Sequence, residues 1–199
     1  KNDIEFSLRS EGLANTETRD GSLILDSQGF GFASIVHDPW RPAPIDGGHL
    51  GQNPGMFNRK FIDERLDIAV FQTNLMESDL VLSGIPFLET CVISDSETFD
   101  ICLALSIVDE NEENIQQFTT GFLRVKGKKT DQEQKLFINL QPTNLTILKS
   151  HKLRLSISAA AWPAIGVNSG SLDTGFGYPS ASHKIITLNF NLNKTIMKI

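Results

Sequence analysis

Alternation of apolar and polar residues with a period of two is the feature that most constrains how this chain can fold. The clearest run spans residues 99–107, with apolar positions at Phe99, Ile101, Leu103, Leu105 and Ile107. The same pattern recurs in residues 136–140, 153–158 and 186–193. Successive side chains of a strand point to opposite faces, so each run is predicted to be a strand with one buried and one solvated face. Residues 66–73, 80–83 and 122–126 are predicted to be further strands.

The polar turns between the predicted strands indicate the fold class. They lie at residues 84–86, 94–97, 109–114 and 126–129. Many strands joined by short turns are typical of a sandwich or barrel. No window has a convincing helical repeat, and residues 111–118 form at most a helical turn. The sequence therefore predicts an all-β protein, a jelly-roll β-sandwich like that of galactose-binding domains, with residues 1–199 as one domain.

Composition and charge exclude several classes of function. Hydrophobic residues make up 40% of the chain, which is enough for a substantial core. The formal net charge is −6 and no block of Lys and Arg stands out, so we expect no nucleic-acid partner. No apolar run approaches the roughly 20 residues that span a bilayer, so we expect no membrane partner. Cys91 and Cys102 lie in apolar, strand-like runs and are predicted to be buried free thiols. A cytoplasmic location is favoured.

The sequence lacks the motifs that carry catalysis. No serine has a glycine two residues away on each side, as the nucleophile of an α/β-hydrolase requires. The four histidines do not pair with another His or Cys at metal-ligand spacing. His49 stands out because Asp46 lies nearby in a Gly-rich loop, but a His–Asp pair without a nucleophile is at best half of a triad. We therefore expect no catalytic residue, no metal site and no cofactor, and we interpret the acidic run 109–113 as a solvated turn.

Three segments lack alternation and are predicted to be long loops: residues 6–25, 36–61 and 161–182. They are rich in Gly, Pro, Asn and Ser, and long loops on a rigid sandwich frequently carry function. Trp40, Trp162 and Tyr178 all lie in the last two of these loops. Exposed in a row, these rings would stack on sugars, so a carbohydrate-binding module is one alternative for the function.

A sequence motif within the second loop carries the most specific information. Residues 37–48 read His-Asp-Pro-Trp-Arg-Pro-Ala-Pro-Ile-Asp-Gly-Gly, and Trp162-Pro163 is followed by Asn168. These segments resemble the C-terminal domain of the Xaa-Pro dipeptidyl-peptidase and cocaine esterase-like (CocE/NonD) hydrolases. The positions that carry the resemblance are Asp38, Pro39, Trp40, Pro42, Gly47, Gly48, Trp162, Pro163 and Asn168. The chain departs from the family pattern at His37, which replaces an aromatic residue, and at Ser150 and Ala164, which replace Gly and Arg.

The resemblance implies a role within a larger serine hydrolase. The family places its Ser, Asp and His in an upstream α/β-hydrolase domain, so that domain of the same polypeptide is the expected partner, and a homo-oligomer is a further expectation. The chain starts without an initiator Met, so we expect it to be the C-terminal piece of such an enzyme. By position in the loop after Gly48, the candidates for the substrate cleft are His49, Leu50, Met56 and Phe57.

The resemblance also implies an exposed interface, because the face that meets the hydrolase domain is expected to present an apolar patch. A second alternative to this role is a structural or oligomerisation β-sandwich without a hydrolase partner. The sequence upstream of Lys1 distinguishes the two, since a hydrolase domain carries a Gly-x-Ser-x-Gly motif.

Overall fold

The computed structural model describes residues 4–49, 53–127 and 129–199, which are built mainly of β-strands. In chain order the elements are β1 (Glu5–Ser10), β2 (Ser22–Leu25), β3 (Phe30–His37), β4 (Phe57–Asn58), α1 (Lys60–Asp63), β5 (Ile68–Gln72), β6 (Leu80–Gly84), β7 (Phe87–Ser94), β8 (Phe99–Val108), β9 (Ile115–Val125), β10 (Gln134–Asn139), β11 (Thr143–Ile147), β12 (Lys152–Ser158) and β13 (Ile186–Lys198). Among these residues no helix is long and apolar enough to cross a membrane.

One large sheet curls on itself to form the sandwich. Its strand order is β10-β7-β13-β3-β1-β2-β5-β12-β8-β9-β4, and β6 pairs with β11 in a separate small sheet. We call β10 to β1 the first half and β2 to β4 the second half. Most neighbours are antiparallel, but β1 pairs with β3 and β2 with β5 in parallel. A bridge between Gly121 and Leu140 links β9 to the end of β10, which closes the curl. The predicted all-β sandwich is confirmed.

The main core lies between the two halves of the sheet. Buried Ile35 and Phe190 from the first half and Leu103 and Leu155 from the second belong to one hydrophobic cluster. The register between β12 and β8 places Leu155 opposite Leu105, so apolar side chains of neighbouring strands share the inner face. The alternation seen in the sequence is therefore what builds this face.

The outer face of the second half contradicts the sequence prediction. Residues 100, 104 and 106 of β8 and 154, 156 and 158 of β12 were predicted to be solvated, but all six are buried. Two segments cover them, residues 38–49 with 53–67 and residues 159–182, which we call the loop layer. Ala43 and Ile62 of this layer pack on β5, and Ile45 packs on Cys102. On β13 the prediction is confirmed, because Asn189 and Asn193 are exposed.

The predictions for the three long loops and the two cysteines have mixed outcomes. Residues 6–25 were predicted to be a loop, which is wrong, because they contain β1 and β2. β1 pairs with β13 near the other end of the chain, so its partner is remote in sequence. Residues 161–182 do form a long irregular segment, and 36–61 holds only β4 and the start of α1 besides the end of β3 within its described part. Cys91 and Cys102 are buried and free, as predicted.

Candidate functional site

Residues 46–49 and 53–58 form the two arms of a loop, and both arms lie beside β9. The arms meet where Gly48 and Gly55 exchange backbone hydrogen bonds of 2.7 and 3.2 Å. Phe57 and Asn58 then pair with Gln117 and Gln116 of β9. Gly47 and Gly48 have φ of 66° and 68°, a left-handed backbone that glycine adopts without strain. A Cβ on Gly47 would lie only 2.5 Å from that of Phe57, so the loop is closely packed at this point.

Three of the four predicted cleft residues lie in the described arms of this loop, and they differ in exposure. Met56 is 58% exposed, whereas Phe57 is partly buried and packs on the cluster that contains Ile62 and Val70. His49 is exposed, and its Nδ1 lies 2.8 Å from Oγ1 of Thr120 on β9. Partial desolvation lowers the pKa of His49. Leu50 lies outside the described residues, so its position stays a prediction.

The turn before this loop, residues 38–42, is held by its own backbone and by one arginine. The carboxylate of Asp38 accepts a hydrogen bond of 3.0 Å from the backbone N–H of Trp40, and the Asp38 carbonyl accepts one from Arg41. Pro39 is buried and Pro42 partly buried. Arg65 binds Asp67 through two hydrogen bonds of 2.8 Å and donates another of 2.7 Å to the Arg41 carbonyl. The turn therefore fixes Trp40 with its ring half-exposed.

Trp162 and Pro163 connect the two segments of the loop layer. The backbone of Trp162 donates to Ala43 at 2.9 Å and accepts from Ile45 at 2.8 Å. The peptide bond between Trp162 and Pro163 is cis. The Trp162 ring meets the exposed Tyr178 ring edge to face, with centroids 5.1 Å apart and planes 67° apart. The two rings therefore offer no flat common platform for a sugar, and Trp162 is partly buried.

Asn168 anchors the second segment to the sheet. Its side-chain amide donates to Asp100 at 2.8 Å and to Thr98 at 3.2 Å, and its carbonyl oxygen accepts the N–H of Gly170 at 3.0 Å. Arg124 binds the same Asp100 carboxylate and the Gly166 carbonyl. Asn168 is buried, so the resemblance here identifies a structural anchor that holds the loop in place.

A row of buried polar side chains between the loop layer and the sheet was missed by the sequence prediction. Arg59 donates to Asp63 at 3.1 Å and to Gln117 at 2.7 Å. Arg154 lies 3.5 Å from the other Asp63 oxygen and donates to Gln72 at 2.7 Å. The sequence feature that could have revealed this row is Arg154, which lies inside a strongly apolar strand. We interpreted Arg154 as a solvated residue. Burial of these charges instead marks a surface covered by the loop layer.

The geometry offers no catalytic triad in the part of the chain that the structure describes. The Nδ1 of His49 faces Thr120 and not Asp46. Ser180 and His183 lie close, but Nδ1 of His183 lies 3.2 Å from both the backbone nitrogen and Oγ of Ser180. That contact closes a local turn. In the same residues, no group of three or more His, Cys, Asp or Glu side chains is placed to hold a metal ion.

The fold and the site together define an all-β sandwich domain whose loop layer, and not its strands, carries the candidate functional surface. The chain belongs to the family of X-Pro dipeptidyl-peptidase C-terminal non-catalytic domains, whose sequence profile matches residues 6–187. The resemblance drawn from the loop motifs is thereby confirmed. No curated protein matches the chain at a significant level.

Solved structures of hydrolases have the same fold. An aminopeptidase from a marine sediment archaeon, Thaumarchaeota archaeon, matches with a TM-score of 0.79 and 15% identity, over 100% of this chain and 37% of that one. An α-amino acid ester hydrolase matches with a TM-score of 0.77 and 14% identity, over 98% and 35% of the two chains. A CocE/NonD family hydrolase from Staphylococcus aureus gives 0.61 and 12%, over 99% and 36%. The chain thus spans little more than a third of these proteins.

Proposed function

We propose that this chain is the C-terminal domain of a serine hydrolase that acts on esters, amides or Xaa-Pro dipeptides. The domain packs on an α/β-hydrolase domain of the same polypeptide and helps to shape its substrate cleft. The observation that carries this proposal is the match to a non-catalytic C-terminal domain over residues 6–187. The similar solved hydrolases support it, because this chain covers only 35–37% of the first two.

The exposed side chains of the loop layer support this layer as the docking surface. Phe61 is 82% exposed on α1, and Leu66, Trp40, Met56 and Tyr178 are also largely exposed. Exposed large apolar side chains are typical of a surface that meets another domain.

The loop after Gly48 is the part proposed to reach the substrate. Met56 and His49 are exposed on the two arms, next to the bridge between Gly48 and Gly55. Phe57 packs against the hydrophobic cluster that contains Ile62 and Val70, and so anchors the end of the loop. In this proposal Met56 contributes apolar contact and His49 a polar contact to the cleft, and Leu50 joins them because it belongs to the same segment.

Binding between separately produced domains tests the docking surface. The variant Phe61→Asp places a charge on the loop layer, and the matched control Phe137→Asp places it on β10 of the first half, where Phe137 is 55% exposed. We expect Phe61→Asp to weaken binding to the hydrolase domain at least about tenfold, since a buried unpaired charge is costly. Phe137→Asp is expected to leave binding unchanged. Analytical ultracentrifugation or calorimetry gives both affinities, and the reverse order would overturn the proposal.

Activity assays test whether catalysis requires the hydrolase domain. The 199-residue chain alone is expected to hydrolyse neither p-nitrophenyl esters nor Xaa-Pro anilides. Addition of the hydrolase domain is expected to give turnover that depends on the concentration of this chain. Robust turnover by the pure chain would show that the chemistry lies here and not in the partner domain.

A further inference from the structure

One fully buried side chain on β9 holds the candidate cleft loop. Gln117 has no exposed surface, and its side-chain nitrogen donates a hydrogen bond of 3.1 Å to the carbonyl of Asp46, where the loop begins. The backbone of the same residue pairs with Phe57, where the loop ends. Both arms of the loop are therefore tied to a single position of the sheet.

Arg59 fixes the orientation of the Gln117 amide. Its Nη1 donates a hydrogen bond of 2.7 Å to Oε1 of Gln117. A guanidinium group can only donate and a backbone carbonyl can only accept, so the amide oxygen has to face Arg59 and the amide nitrogen has to face Asp46. Arg59 is itself buried, its Nε donates to Asp63 at 3.1 Å, and its backbone N–H donates to Ile115 at 2.8 Å.

The loop backbone comes so close to this amide that a side chain at position 48 would crowd it. A Cβ on Gly48 would lie 3.1 Å from Nε2 of Gln117 and 3.1 Å from Oγ1 of Thr120. Thr120 in turn contacts His49 at 2.8 Å. We therefore expect a shift of the Gln117 amide to move Gly48 and His49.

We propose that Gln117, oriented by Arg59, is a positioning residue that sets how far His49 and Met56, on the two described arms of the loop, project, and thereby the size of the apolar group accepted in the substrate cleft. This inference rests on the proposed function for its effect on substrates. The anchoring itself rests on the contacts within this chain alone. Gln117 acts through the loop and does not touch the substrate.

The variant Gln117→Glu tests the anchor with almost no change of shape. A carboxylate still accepts from Arg59, but it presents an oxygen to the Asp46 carbonyl in place of a donor. Two acceptors then face each other across the 3.1 Å that now holds a hydrogen bond. Gln116→Glu is the matched control, because it adds the same charge at the neighbouring, partly exposed position. If Gln117→Glu does not fold, Gln117→Met removes the same donor without adding a charge.

The first readout is local and is made on the chain itself. We expect Gln117→Glu to speed amide hydrogen exchange at Gly48 and Gly55 by about tenfold, because the N–H of each residue donates to the carbonyl of the other across the loop. Amides of the first half of the sheet are expected to keep their rates, and Gln116→Glu is expected to change neither set. The pKa of His49, which burial now lowers, is expected to rise towards its usual value as the loop moves into water. A purely structural role of Gln117 would instead speed all amides together through global unfolding.

The second readout is the selectivity of the longer polypeptide that joins this domain to the hydrolase domain. Across p-nitrophenyl esters of increasing acyl length, we expect Gln117→Glu to change the ratio of kcat/KM for long and short esters. Unchanged exchange at Gly48 and Gly55 would overturn the anchoring role, and the proposed function would stand. Faster exchange with unchanged selectivity would overturn the role of the loop in the cleft, and the anchor would stand.

Discussion

Arg124 binds the carboxylate of Asp100 through two parallel hydrogen bonds of 2.8 and 2.7 Å, between neighbouring strands of the covered sheet face. Asp100 is almost fully buried and also holds Asn168, so this ion pair fastens the second segment of the loop layer. The hydrogen bond to Asp100 is the main cause that raises the pKa of Arg124. Removing the arginine would leave a buried carboxylate with one neutral partner.

We expect Arg124→Leu to lower the free energy of unfolding by about 3 kcal/mol, since breaking a buried pair leaves an uncompensated charge. Lys126→Leu is the matched control, because Lys126 is exposed two residues further along the chain and contacts only the ring of Phe176, at 4.8 Å, among the contacts described for it. Urea unfolding followed by circular dichroism measures both variants. Equal stability losses in the two would contradict the role assigned to the ion pair.

Gly47→Ala is expected to strain the candidate cleft loop. The left-handed φ of 66° disfavours alanine, and the added Cβ would meet Phe57 at 2.5 Å and the Gly55 carbonyl at 2.7 Å. We expect a loss of about 2 kcal/mol, measured by chemical denaturation and by amide exchange at Gly48. Gly175→Ala is the control, because a Cβ there meets nothing within 4 Å. It is expected to be neutral or slightly stabilising, and a larger loss there than at Gly47 would contradict the packing described for the loop.

His37 is expected to make the domain less stable in mild acid. Burial lowers its pKa from the usual 6.5, and this outweighs the nearby carboxylates of Asp100, Asp67 and Asp38 and a hydrogen bond to the backbone of Asn168. The unfolded chain takes up this proton near pH 6.5, whereas the folded chain resists it. The free energy of unfolding is therefore retained above about pH 6.5 and falls below it, by up to about 1.4 kcal/mol per pH unit, until the folded pKa is reached.

The variant His37→Phe isolates this contribution, because phenylalanine is of similar size and does not titrate. Urea unfolding at several values between pH 5 and 8 is expected to show a shallower slope below pH 6.5 for the variant than for the unmodified chain. His151→Phe, at a partly exposed position, is expected to keep the slope attributed to His37. A variant at position 37 with an unchanged slope would assign the acid sensitivity to other groups.

The sequence by itself determined the strands that alternate strongly and the loops that carry the family motif. Residues 99–107 and 186–193 were recognised because one face of each strand is continuously apolar, which is a local signal. The loop with His49, Met56 and Phe57 was found because motif spacing is also local. β1 and β2 were missed, since they are short and their pairing with β13 and with each other depends on partners that local patterning does not identify.

Only the tertiary structure decided what covers the outer face of the second half. Arg154 and Asp100 look like solvated positions in the sequence, and they became buried because the loop layer folds over them. The partners that make this burial possible are far apart along the chain: Asp63 lies 91 residues before Arg154, and Asp46 lies 71 residues before Gln117. Alternation indicates that a side chain points away from the core, but it does not indicate whether that side chain is exposed to water or covered by another segment of the chain.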